Sequence, residues 1–127
     1  MERGDNSSPV QIMITLDEAK AYLRVDSNFE DALIASLTVS AEALCANVAR
    51  LSKDEWGAVA AYADGDEIPT IRGQEKTGSE ILQMCEILHV SALYALSYMY
   101  EHREEADHHD LVLTLRNLLF AVREGVV

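Results

Sequence analysis

Leu33, Leu37, Ala41, Leu44 and Val48 recur at steps of three or four residues, which lays them in one stripe along an α-helix. Ile34, Cys45 and several alanines widen that stripe, while Ser36, Ser40 and Ala43 leave room for a closely approaching neighbour. Between Glu30 and Arg50 the only charges are Asp31 and Glu42, so a helix over about 28–51 is expected to be buried on more than one side. A second stripe of Ile81, Cys85, Leu88, Ala92, Leu96 and Met99 predicts a partner helix over about 80–103.

Capping signals punctuate the rest. Thr15 and Glu18, Ser27 and Glu30, and Ser52 and Glu55 each place a hydroxyl three residues before a carboxylate. Such pairs can satisfy the orphan amides at a helix start reciprocally. They predict a short helix bearing Leu16, Ala19 and Leu23, the first long helix after Ser27, and a short helix to Ala63 carrying Trp56, Val59 and Ala60. Ser79 is the expected cap of the second long helix. Residues 64–78, rich in Asp, Gly and Pro, read as a loop long enough to be functional or mobile. After a polar turn over 101–110, a last amphipathic helix to about residue 124 carries Leu111, Leu115, Leu118, Leu119 and Val122.

The predicted fold is therefore all-α, a small bundle of two long helices and two or three short ones, with a long loop between the long pair. Residues 1–11 are polar and aperiodic and are expected to form a flexible arm before a single domain over 12–127. Met13 is a second candidate start.

Composition narrows the function classes. A chain of 127 residues with 49% hydrophobic content suits one folded domain and is too apolar for a disordered acidic tail. No unbroken apolar run approaches the roughly 20 residues of a membrane span. Ten Lys and Arg against 22 Asp and Glu give a net charge of −12, which argues against a protein that grips nucleic-acid phosphates. Cys45 and Cys85 both lie in helical patterns and read as two core thiols in a reducing, intracellular setting.

Catalytic constellations are weak. Glu86 and His89 form a Glu-x-x-His pair that Glu42 could face, as in carboxylate–histidine di-iron bundles. The second such pair, Glu105 and His108, falls in the polar turn, and a second mid-helix bridging glutamate is missing, so no metal site is assigned. His102, His108 and His109 beside Asp107 and Asp110 read as a solvated turn with pH-sensitive character rather than a zinc site. No Gly-x-Ser-x-Gly, P-loop or glycine-rich phosphate cradle occurs, and neither cysteine has an evident base. The expectation is a non-enzyme with no cofactor. Tyr94, Tyr98 and Tyr100 either seal the bundle end or join a subunit contact.

Three segments in order carry a resemblance. They are Met13-Ile-Thr-Leu-Asp-Glu-Ala-Lys-Ala-Tyr-Leu-Arg-Val-Asp26, Glu30-Asp-Ala-Leu-Ile34 and Tyr98-Met-Tyr-Glu-His-Arg-Glu104. Together they resemble the gp6-like head–tail connector (head-completion adaptor) proteins of tailed phages and prophages, over about residues 12–123. The closing Leu115–Arg123 stretch looks like that family's terminal helix, whereas the Trp56–Gly78 insertion and the N-terminal arm depart from its shorter members.

The resemblance implies a structural virion protein, assembled in the bacterial cytoplasm and located at the head–tail junction. It implies a homo-oligomeric ring of about twelve subunits under the portal protein, held by closing head-to-tail contacts. Such a ring extends the DNA channel and presents a platform to a stopper or tail-completion protein. DNA would pass without specific binding, which suits an acidic wall, and no membrane is involved. On this reading Leu111, Leu115, Leu119, Phe120 and Arg123 are the expected portal or subunit contacts. Tyr100, Glu101 and Arg103 are expected to fix the helix end and turn, and loop 64–78 is the candidate channel-facing or downstream contact. The rival reading is a small acidic helical interaction or regulatory module working as a dimer or one-to-one complex.

Overall fold

The computed structural model describes residues 13–105 and 107–126. Among these it has six helices and no strand: α1 (Leu16–Leu23), α2 (Asp31–Val48), α3 (Lys53–Ala61), α4 (Gly78–Glu101), α5 (His109–Leu118) and α6 (Phe120–Arg123). The expected arm over 1–11 lies outside the described residues.

The architecture is an all-α bundle around the pair α2 and α4. Tyr100, in the last turn of α4, meets Glu30 at the start of α2, so the two helices run antiparallel. By length and mean hydropathy alone (1.3 and 1.2), both would pass for membrane-crossing helices, a match that a search for unbroken apolar runs misses. Here they are the core pair of the bundle, and α1, α3 and α5 pack around them.

The core face of α2 is Ile34, Thr38, Ala41, Cys45 and Val48, while Leu33, Leu37 and Leu44 are only half-buried. The expected stripe is thus rotated by about one residue. Thr38 disguised the true face, because its hydroxyl is satisfied locally by donating to the Ile34 carbonyl at 2.8 Å. Ser36, Ser40 and Ala43 are exposed rather than at the helix contact. Small buried residues lie instead at Ala41 on α2 and at Ser91, Ala92 and Ala95 on α4.

Two of the predicted helix starts also shift. Thr77, not Ser79, caps α4, and its hydroxyl and the Glu80 carboxylate form a complete capping box. Gly78 follows because a Cβ there would come within 2.6 Å of the Tyr62 hydroxyl. The Ser52 and Glu55 box forms as expected at α3, which ends at Ala61. At α1 only half a box forms: Thr15 accepts from the Glu18 amide, while the Glu18 carboxylate turns to His89 at 2.7 Å. The Ser27 and Glu30 box does not form, and α2 starts at Asp31.

The 64–78 loop is anchored in its second half. Ile71 is fully buried and exchanges backbone hydrogen bonds with Gln74. The Arg72 guanidinium donates to the carbonyls of Ala49, Arg50 and Val122 at 2.7–3.2 Å, holding the loop against the ends of α2 and α6.

Candidate interaction surface

The terminal helices were the expected contact surface, and the structure divides their residues. Leu111, Leu115 and Leu119 are completely buried, as is Val122 nearby, and α5 packs on α2 and α4. These three leucines close the bundle and have no surface to offer a portal or a neighbour. Leu119, at φ −97° and ψ 9°, separates α5 from α6 while its amide still bonds the Leu115 carbonyl at 2.8 Å, and the next residue, Phe120, is 59% exposed; Leu113 and Leu118 are exposed as well. Arg123 donates to the Val48 carbonyl at 3.0 Å and lies 3.7 Å from Glu124. Partial burial, then the nearby charges of Arg50 and Arg116, hold its guanidinium below its ordinary pKa.

Of the turn motif, two residues act together. The Tyr100 hydroxyl donates to Glu30, and Arg103 reaches the other Glu30 oxygen at 3.4 Å. Arg103 also donates to the Tyr100 carbonyl at 2.6 Å and covers the Tyr100 ring at 4.7 Å. The hydrogen bond to Glu30, followed by burial, raises the Tyr100 phenol above its ordinary pKa. Glu101 is exposed. Glu30 is therefore a clasp between the helix ends rather than a local cap.

Glu42 is the buried charge of the bundle, 4% exposed. Its carboxylate accepts from the Met13 amide at 2.8 and 3.1 Å, the Ile14 amide at 3.0 Å and the Trp56 indole nitrogen at 2.9 Å. It sits in the wall of an apolar groove of about 350 Å³, formed by Val39, Ala43, Ala46 and Asn47 of α2 with Leu51, Lys53 and Trp56. Because its oxygens are already engaged, the groove offers chiefly apolar walls. The sequence marked Glu42 as a charge in an apolar helix and as a residue that could face Glu86 and His89; its place in an apolar helix was the signal for this site.

The metal-site residues do not converge. His89 pairs with Glu18, Glu86 is exposed, and Glu42 is taken by the amides and Trp56. At the polar turn, His102 stacks on Tyr98 with ring centroids 4.0 Å apart, and His108 meets the same ring edge-on at 6.2 Å. Burial and the surrounding acids raise the Tyr98 phenol. Among the described residues no group of three or more His, Cys, Asp and Glu is gathered as metal ligands. Both cysteines are free; burial and then the Glu42 charge push the Cys45 thiol up to about 12, while Cys85 is half-buried and raised by burial and Glu86.

Comparison with known proteins finds no matching family model, curated relative or solved structure.

Proposed function

We propose that this chain is a head–tail connector of a tailed phage or prophage, a structural adaptor that forms a ring beneath the portal and carries the DNA channel toward the stopper or tail. The observation that supports the reading is where its three resembling segments meet. Lys20 of the first pairs with Asp31 of the second at 2.8 Å, and Glu30 of the second is clasped by Tyr100 and Arg103 of the third. The residues behind the resemblance thus form one continuous helix-end joint, as parts of one inherited scaffold would.

On this reading the portal contact moves to the exposed residues of the terminal segment, Leu113, Leu118 and Phe120, because the leucines between them are buried. The acidic balance of the chain, −12, suits a channel that DNA must cross without adhering.

The test is in vitro head joining. DNA-filled heads lacking this protein are incubated with the purified chain and tails, and infectious particles are counted. Restoration by the wild-type chain, with reduced restoration by Phe120→Ser at unchanged thermal stability, is the expected result. A discrete dimer or one-to-one complex with a cellular protein, and no joining, would replace the reading with the regulatory module.

A further inference from the structure

The basic residues of this acidic chain are gathered rather than spread. Four of its seven arginines, Arg50, Arg72, Arg116 and Arg123, meet where α2 ends against the terminal helices and the long loop. Hydrogen bonds place three of them. The Arg72 guanidinium donates to the carbonyl of Arg50 itself at 3.2 Å and to that of Val122, the residue before Arg123, at 2.7 Å. Arg123 donates to the Val48 carbonyl at 3.0 Å. Bonds to the last carbonyls of α2 account for Arg72 and Arg123, which serve as caps. They leave Arg50 and Arg116 unexplained. Both are exposed, and neither side chain makes a hydrogen bond or ion pair among the described residues. Arg50 also stands at φ 61°, a left-handed position that glycine takes without strain, so the backbone gives no reason for an arginine there.

The acids at this corner are Glu55, whose carboxylate accepts the Arg72 amide, and Glu124, 3.7 Å from the Arg123 Nε. They do not balance it. Burial and then the charges of Arg50 and Arg116 hold the Arg123 guanidinium below its ordinary pKa, and Glu124 opposes them less. We infer that this corner binds phosphate groups, with Arg50 and Arg116 as the contacting residues and Arg72 and Arg123 as their fixed frame. A guanidinium presents paired N–H donors that match an oxyanion two at a time. A terminal phosphate, with three acceptor oxygens and up to two charges, can be shared between two such forks. The net charge of −12 excludes a surface covered in phosphate contacts, not one local site, and binding at a site of two arginines is weak and lost as salt rises. A nucleic-acid backbone and a small polyphosphate share this chemistry. The inference goes beyond the connector reading and does not depend on it.

The experiment titrates the full chain, at low salt, into fluorescein-labelled duplex DNA and separately with inorganic tripolyphosphate, followed by anisotropy and calorimetry. The variants are Arg50→Gly, Arg116→Gln and the matched control Arg24→Gly. Arg24 is likewise exposed at φ 61°, and it lies beyond the other end of α2, whose 18 residues span about 27 Å. Both glycine variants remove one positive charge from the same backbone conformation, and melting curves should show neither less stable than the wild type. Arg50→Gly and Arg116→Gln are each expected to weaken binding several-fold, and on DNA to reduce the salt slope by about one, while Arg24→Gly changes neither. Binding of the duplex names a nucleic-acid backbone as the source, and binding of tripolyphosphate alone names a small polyphosphate; either upholds the site. Equal losses in Arg24→Gly and Arg50→Gly would trace the effect to net charge and overturn it, as would no binding of either probe. Poly-glutamate bound more tightly than both would assign the corner to an acidic protein segment, and the phosphate site falls.

Discussion

The Glu42 carboxylate lies 2.9 Å from the Trp56 indole nitrogen while also accepting the amides of Met13 and Ile14. One buried side chain therefore joins the chain entering α1, the middle of α2 and the first turn of α3. A charge in that position is tolerated because each oxygen is satisfied by N–H donors.

Glu42→Ala is expected to destabilise the fold by about 3 kcal/mol, since it strands buried or half-buried donors. Glu42→Gln keeps the shape but turns an amide toward N–H groups, and should fall between the two. Chemical denaturation followed by Trp56 fluorescence measures both. An unchanged midpoint for Glu42→Ala would remove this residue as the joint.

Cys45 and Cys85 should differ sharply in reactivity. The Cys45 thiol, raised to about 12 by burial and by Glu42, holds almost no thiolate at neutral pH. Cys85 is half-buried and less protected. Iodoacetamide at pH 8 is expected to label Cys85 first and Cys45 only on unfolding, which peptide mass spectrometry resolves. Equal labelling rates in the folded chain would contradict the packing of α2.

Acid should loosen α3 through Glu55. Burial pushes its carboxyl up, but hydrogen bonds from the Ser52 amide, the Arg72 amide and the Ser52 hydroxyl outweigh that and hold it below the ordinary 4.5. A carboxylate with a lowered folded pKa adds stability that is complete above its unfolded pKa and is lost as pH falls through the folded value. Melting temperature should therefore fall below about pH 4.5 in the wild type, and less steeply in Glu55→Gln. Parallel curves for the two proteins would show that this carboxylate carries none of the acid response.

The terminal helices separate packing from contact. Leu115→Ala opens a cavity under α5 and is expected to cost about 3 kcal/mol, whereas Phe120→Ser leaves stability nearly unchanged. Removing the chain from Leu111 onward should unfold the bundle rather than spare it, because Leu111, Leu115, Leu119 and Val122 are buried. Circular dichroism melts decide this directly.

Arg72 pins the long loop. Its replacement by Ala removes the donors to three carbonyls and should destabilise by about 1 kcal/mol, the side chain being largely in solvent. Hydrogen exchange should accelerate at Ile71 and Gln74, whose amides pair with each other's carbonyls. No change there would mean that burial of Ile71 alone holds the loop.

Much of the helical framework was legible in residue order. Periodic apolar positions establish that α2, α4 and the terminal segment are helical, because a stripe at that spacing can be buried only on a helix. Ser52 and Glu55 meet across a single turn, so their box follows from local sequence. The face that each helix buries is another matter. One residue of register corresponds to about 100° of rotation, and only the neighbouring helices decided that Ile34, Thr38 and Cys45, rather than Leu33, Leu37 and Leu44, face the core. Glu30 and Glu18 could each have bonded a nearby amide, yet Tyr100 with Arg103 and His89 claim them from across the bundle. Tertiary structure alone also buried Leu111, Leu115 and Leu119 and left Phe29 and Phe120 in solvent. An apolar side chain looks the same in sequence whether it fills a core or waits for a partner, and the packing around it makes the distinction.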